Sequence, residues 1–183
     1  MELSGGIQLE QSRWLKEAES ILGFPIRIAD IDLPEIQSLD LHEIVRAKAL
    51  LAYEKVGKPV FVDDVGIFVD AWNGFPGPFI KYLREAGGNE LLLRMLQQES
   101  IRTAVTKAVI GYYDGGKVEI FEGVARGEIV RSPRGADGWG FDPIFQPEGS
   151  SLTWSEMGDV EKNKISHRSQ ALAKFKDFLH NKS

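Results

Sequence analysis

The stretch PVFVDDVGIFVDAWNGFPGP, Pro59 to Pro78, decides how the rest of this chain is read. Pro59 to Val62 is a short apolar run with β-branched and aromatic residues, the pattern of a buried strand. It drives into two adjacent carboxylates, Asp63 and Asp64, followed by a second apolar segment from Gly66 to Val69 and the compound turn Asn73-Gly74-Phe75-Pro76-Gly77-Pro78. Paired acids at the carboxyl end of a buried strand need a partner, and in open α/β sheets that end is where ligands bind. The plainer alternative is a strand that leaves the core into a solvated aspartate turn. The clustered turn formers imply a rigid loop rather than a flexible one.

The 183 residues suit one domain of ordinary size, and a hydrophobic share of 43% with 27% charged residues is that of a globular protein. A net charge of −5 argues against duplex nucleic acid, whose binding rests on neutralising many phosphates, but leaves room for a small anion held by a local basic cluster. With no cysteine in the chain, disulfides and thiolate metal sites are excluded, so any metal must use oxygen or imidazole ligands. No segment approaches a membrane span or a signal sequence, and the expectation is a soluble, cytoplasmic protein without a membrane partner.

Upstream of the acids, Gly6 to Gln11 reads as a first strand and Ser12 as the cap of a helix whose apolar stripe includes Trp14, Ala18 and Leu22. A second strand, Phe24 to Ile31, delivers Glu35 just past its end. Asp40 opens the next helix, with Glu43 in capping-box position, and Lys48 falls within its apolar stripe. That lysine either lays its methylenes on the core edge with the ammonium in water or points inward toward an anion. Downstream, helical segments are expected over residues 79–86 and 90–97. A hairpin follows, pairing residues 104–113 with 117–130 around Asp114-Gly115-Gly116. In the tract from Pro133 to Pro143, Trp139 and Phe141 would share one face if extended, a platform on which a base can stack. Ser166 then caps a closing helix, which puts His167 and Arg168 in its first turn. Cations are unfavourable at a helix amino end unless an anion or acceptor is present.

Three acids (Glu35, Asp63, Asp64), an inward lysine (Lys48), two aromatics (Trp139, Phe141) and a basic group (Lys162, His167, Arg168) together suit a nucleoside triphosphate with Mg²⁺. Carboxylate oxygens suit Mg²⁺, which takes one or two carboxylates with phosphates and water. Neither a G-x-x-x-x-G-K-[ST] loop nor a G-x-G-x-x-G turn is present, which disfavours a P-loop or dinucleotide fold. An aspartyl phosphatase is the nearest competitor, but its acids alternate along the strand, whereas these are adjacent and face opposite ways.

The strings Leu33-Pro34-Glu35-Ile36-Gln37, Val62-Asp63-Asp64, Gly74-Phe75-Pro76-Gly77-Pro78, Gly138-Trp139-Gly140-Phe141-Asp142-Pro143, Glu161-Lys162-Asn163 and Ser166-His167-Arg168 occur in this order. The set resembles the inosine triphosphate pyrophosphatase family. The resemblance implies an α/β fold, a long mixed β-sheet flanked by helices in two lobes with a central cleft. Residues 1–183 would form a single bilobal domain and a homodimer that hydrolyses ITP, dITP and XTP to the monophosphate and pyrophosphate with Mg²⁺. It further implies Asp64 as the acid that activates water, and Glu35, Asp63 and Asp64 at the metal. Lys48 and Lys162 would hold phosphates, Trp139, Phe141 and Asp142 would line the base pocket, and His167 and Arg168 would read the 6-keto oxygen. Buried donors aimed at a keto group reject a 6-amino purine.

Two departures stand out. Similar proteins open with T-G-N-x-x-K-x-x-E, for which this chain has Glu10 at the glycine, Gln11 at the asparagine and Trp14 at the lysine, with only Glu17 retained. Val65 stands where the family has Ser or Thr. The chain is therefore either an active pyrophosphatase with an altered phosphate grip or a non-enzymatic relative that binds a purine nucleotide or a partner chain.

Overall fold

The computed structural model describes the backbone of residues 2–4, 8–136 and 139–182, with side chains from Arg13 onward. In chain order the elements are β1 (Glu2–Ser4), α1 (Gln8–Leu22), β2 (Arg27–Ala29), α2 (Leu41–Val56), β3 (Val60–Val69), β4 (Pro76–Gly77), α3 (Ile80–Met95), β5 (Thr103–Tyr113), β6 (Glu119–Ile129), β7 (Phe145–Pro147), α4 (Trp154–Ile165) and α5 (His167–Lys182). Among the described residues, seven strands form one mixed sheet in the order β2-β1-β3-β5-β6-β7, with β4 paired to β3. β1 runs parallel to β2 and β3, whereas β4 and β7 run antiparallel to β3 and β6. This is the expected α/β architecture with a mixed sheet.

The opening stretch departs from its reading in one respect. β3 does not end at the acids; it runs for ten residues, Val60–Val69, so Asp63 and Asp64 lie in mid-strand. What ends there is a neighbour: β1 pairs Glu2 with Val60 and Leu3 with Phe61, so the paired acids follow one residue beyond the parallel register. The amino end departs more. The strand expected over residues 6–11 is helix from Gln8 onward, β1 lies upstream at Glu2–Ser4, and Ser12 sits inside α1 rather than capping it. Gly6 and Ile7 lie outside the described residues, as do Asp137 and Gly138. Ile7, Gln8, Leu9 and Glu10 alternate as a strand does, but four residues are too few to separate a strand from the start of a helix.

α2 opens at Asp40, whose carboxylate accepts from the His42 amide. The expected Asp40–Glu43 capping box is replaced by a relay. Glu43 accepts from the Ser38 hydroxyl at 2.7 Å, and that oxygen accepts the Asp40 amide at 3.0 Å. α3 is broken at Gly87 and Gly88, with Gly88 at φ 63°, which accounts for the two helical segments read from the sequence. The hairpin of β5 and β6 forms as expected. A Cβ at Gly111 of β5 would lie 2.4 Å from Val45 of α2, so glycine lets strand and helix close together.

The chain divides into two compact units, one of residues 1–64, 108–123 and 168–183, the other of 65–107 and 124–167. In the first, Phe61 of β3 is fully buried between Trp14 of α1 and Phe175 of α5, at centroid distances of 6.0 and 5.1 Å. Burial of one such ring is worth about 1.5–3 kcal/mol. In the second, Ile67 and Val69 of β3 pack with Leu92 and Leu96, Ile129, Phe141, Phe145 and Trp154.

Candidate active site

Adjacent residues of a strand project from opposite faces, so β3 sends Asp63 and Asp64 to different helices. On one face Asp64 Oδ2 accepts from Lys48 Nζ at 3.1 Å, and Lys48 also meets Glu35 Oε1 at 2.6 Å. Lys48 leaves α2 with only 8% of its surface exposed, so of its two readings the inward one is observed. Burial works against the ammonium, but Asp64 and Glu35 outweigh it and hold the Lys48 pKa above the ordinary lysine value. Burial pushes the Asp64 carboxyl above the usual aspartate range; Lys48 pulls it down, and the nearby Glu35 and Asp63 charges push it up.

On the other face Asp63 Oδ2 accepts two donors, the Trp14 indole Nε1–H at 2.8 Å and Arg168 Nε–H at 3.3 Å. Arg168 Nη1 lies 3.8 Å from Glu17 Oε2 of α1. Ser166, extended at φ −69° and ψ 152°, directly precedes α5, and the anion that offsets Arg168 in that first turn is Asp63.

The second unit holds a different cluster. Lys162 of α4 donates to Asp142 Oδ2 at 2.6 Å, and each of these side chains is only 5% exposed. The same oxygen accepts the Trp139 amide at 3.0 Å. Lys162 Nζ lies 5.6 Å from the centroid of the Trp139 ring and 5.7 Å from that of Trp154, cation–π distances that suit a desolvated ammonium. His167 is buried, stacked on Trp154 at 4.9 Å and 13° and on Phe141 at 5.9 Å and 29°.

The expected metal acids thus do not form one group. Glu35 and Asp64 converge on a common cation while Asp63 is engaged on the opposite face, and among the described residues no three acidic, histidine or cysteine side chains are gathered as a metal cage. Nor is the aromatic platform extended. Gly140 turns the chain at φ 66°, Phe141 goes into the core with 6% exposure, and Trp139 stays half-buried. Lys162, expected on phosphate, is tied to Asp142 beside the base-loop aromatics.

A model of the Ham1 family matches residues 11–178. The chain belongs to the Ham1 family. Curated members include a dITP/XTP pyrophosphatase of Methanopyrus kandleri, 44% identical over 169 residues, 90% of this chain and of that protein. A dITP/XTP pyrophosphatase of Thermococcus kodakarensis is 43% identical over 158 residues, 86% of this chain and 85% of the other. The solved Ham1 protein from Coxiella burnetii superposes with a TM-score of 0.83 at 31% identity over 98% of each chain. The Staphylococcus aureus Ham1 protein gives 0.82 at 26% identity, covering 100% of this chain and 99% of that one.

Three residues that contact the candidate side chains of the two units escaped sequence reasoning. Trp14 registers in the sequence as part of an apolar stripe and as a missing lysine, yet its indole is a donor to Asp63. Trp154, which no sequence pattern singled out, follows the Thr153 cap of α4, and its ring backs both His167 and Lys162. Asn89, just beyond the α3 break, donates to the Gly140 carbonyl at 2.9 Å and so holds the peptide between Trp139 and Phe141. Only the glycine pair before Asn89 hinted at a special position.

Proposed function

We propose that this protein hydrolyses non-canonical purine nucleoside triphosphates, dITP, ITP and XTP, to the monophosphate and pyrophosphate, and so cleanses the nucleotide pool. The observation that carries this is its relation to curated dITP/XTP pyrophosphatases over nine-tenths of the chain, and the acid group on β3 gives that relation its chemistry. Nothing observed favours a non-enzymatic relative.

Glu35 and Asp64 fit Mg²⁺ by donor type, and their oxygens already lie within 2.6 and 3.1 Å of one shared cationic atom, Lys48 Nζ. When bound, Mg²⁺ supplies positive charge to the triphosphate. Asp64 acts as general base: it takes the proton of the attacking water as the α–β anhydride breaks and pyrophosphate leaves. A carboxyl pushed up by burial holds that proton better than a solvated aspartate does. Lys48 turns its ammonium to phosphate. Trp139, Phe141 and Asp142 hold the base, with Lys162 as the partner that fixes Asp142, and His167 and Arg168 donate to the 6-keto oxygen.

A homodimer in the cytoplasm, without nucleic acid or membrane partners, completes the proposal. The net charge of −5 supports the absence of nucleic acid. Among the described residues no helix is long and apolar enough to cross a membrane. Incubation with dITP, XTP, ITP, GTP and ATP plus Mg²⁺, read as released pyrophosphate, tests the activity. Turnover of dITP and XTP well above GTP and ATP is expected, and no turnover above an Asp64→Asn control would overturn it.

A further inference from the structure

The three acids inferred from sequence as metal ligands are divided by β3. Glu35 and Asp64 share Lys48, while Asp63 faces α1 and α5 and accepts Trp14 and Arg168 on the same oxygen. Trp14 is itself 6% exposed and its ring packs on Phe61, two residues before Asp63 on the same face of β3. An indole N–H donates without carrying charge, so it anchors Oδ2 and leaves the charge of Asp63 to Arg168. Arg168 is in turn set from a second side by Glu17 at 3.8 Å and is 4% exposed. A guanidinium hydrogen-bonded through Nε to Asp63 and drawn at Nη1 toward Glu17 is biased to one orientation, and a planar donor discriminates best when its orientation is set.

We infer that Asp63, clamped by Trp14, is a positioning residue that orients Arg168 for substrate selection, and not a ligand of the catalytic metal. This rests on the proposed activity for the role of Arg168, but not for the clamp. The tryptophan at a position where similar proteins carry lysine then has a use of its own: it is a neutral clamp on Asp63.

The test compares Asp63→Asn, Trp14→Phe and Glu35→Gln in the full-length protein. Mn²⁺ binding is measured without nucleotide by electron paramagnetic resonance, Mg²⁺ half-saturation by turnover, and discrimination by the kcat/KM ratio for dITP over dATP. Glu35→Gln is expected to weaken Mn²⁺ binding and raise the Mg²⁺ requirement about tenfold or more. Asp63→Asn should leave both within about twofold of wild type and lower the dITP/dATP ratio about tenfold, through KM more than kcat. Trp14→Phe, which keeps the ring on Phe61, should lower the ratio a few-fold in the same direction. An Asp63→Asn protein that loses Mn²⁺ in step with Glu35→Gln would make Asp63 a metal ligand and overturn the inference, as would an unchanged dITP/dATP ratio in both clamp variants. If wild type turns over no nucleotide, the proposed activity fails separately. The clamp is then read in the solvent exchange of the Trp14 and Arg168 N–H protons by NMR. Faster exchange of Arg168 Nε–H in Trp14→Phe supports the clamp, and unchanged exchange refutes it.

Discussion

Two ionic groups, one in each compact unit, use similar residues to opposite effect. Among the described residues of the first unit, Glu17, Glu35, Asp63 and Asp64 meet Lys48 and Arg168, and Glu35, Asp63 and Asp64 keep 18–27% of their side-chain surface exposed. In the second, one lysine meets one aspartate at 2.6 Å, each 5% exposed, with two tryptophan rings near the ammonium. An acid-rich, partly solvated group suits a further cation and its phosphates. A buried one-to-one pair sets the shape of the loop that carries Trp139 and Phe141, the loop proposed to hold the base. The lesson is that charge alone does not mark the chemistry; stoichiometry and access do.

The sharpest way to break this contrast is to remove Asp64, the proposed general base. Asp64→Asn should lower turnover of dITP by about 10²–10⁴-fold, measured as pyrophosphate release at saturating Mg²⁺, while leaving the fold intact. Full activity in that variant would place the chemistry elsewhere. Next in size is the closed pair: Lys162→Met strands a buried Asp142 carboxylate and should cost about 3–5 kcal/mol in chemical denaturation. A loss below about 1 kcal/mol would mean the pair is solvated and the contrast is lost.

The loop offers a smaller effect. Asn89→Ala removes the donor to the Gly140 carbonyl, worth about 1 kcal/mol, and should raise the KM for dITP several-fold with little change in kcat. A change confined to kcat would place Asn89 in the chemical step instead. The smallest effect concerns pH. The Asp64 carboxyl is raised above 3.8 in the folded protein, so the folded state holds its proton more tightly than the unfolded chain. Stability from this group therefore falls as pH climbs from about 3.8 through the raised value, the reverse of a salt-bridged aspartate. Asp64→Asn should gain on wild type in denaturation free energy between pH 4 and pH 7. A gap that is constant with pH would contradict the burial effect.

Much of this was legible in residue order. Period-2 and period-3.6 patterns, Asp40 and the hairpin glycines located most of the strands and helices, including the two segments of α3, because local propensity and burial agree there. The acids, Lys48 and the Ser166-His167-Arg168 start of α5 stood out because each breaks an apolar or dipole pattern. The amino end was misread, since a few alternating residues carry no tertiary information. The capping partner of Asp40 was misplaced because Ser38, outside the helix, competes for Glu43.

The sequence by itself determined the fold class, the family motifs and the list of polar residues that cannot lie idle in a core. Tertiary structure alone decided how they are paired. β3 runs through its two aspartates and sends them to different faces, one to Lys48 and Glu35, the other to Trp14 and Arg168, 49 and 105 residues away in the chain. Partners so distant in sequence are set by strand alternation and helix packing, and no local pattern encodes them.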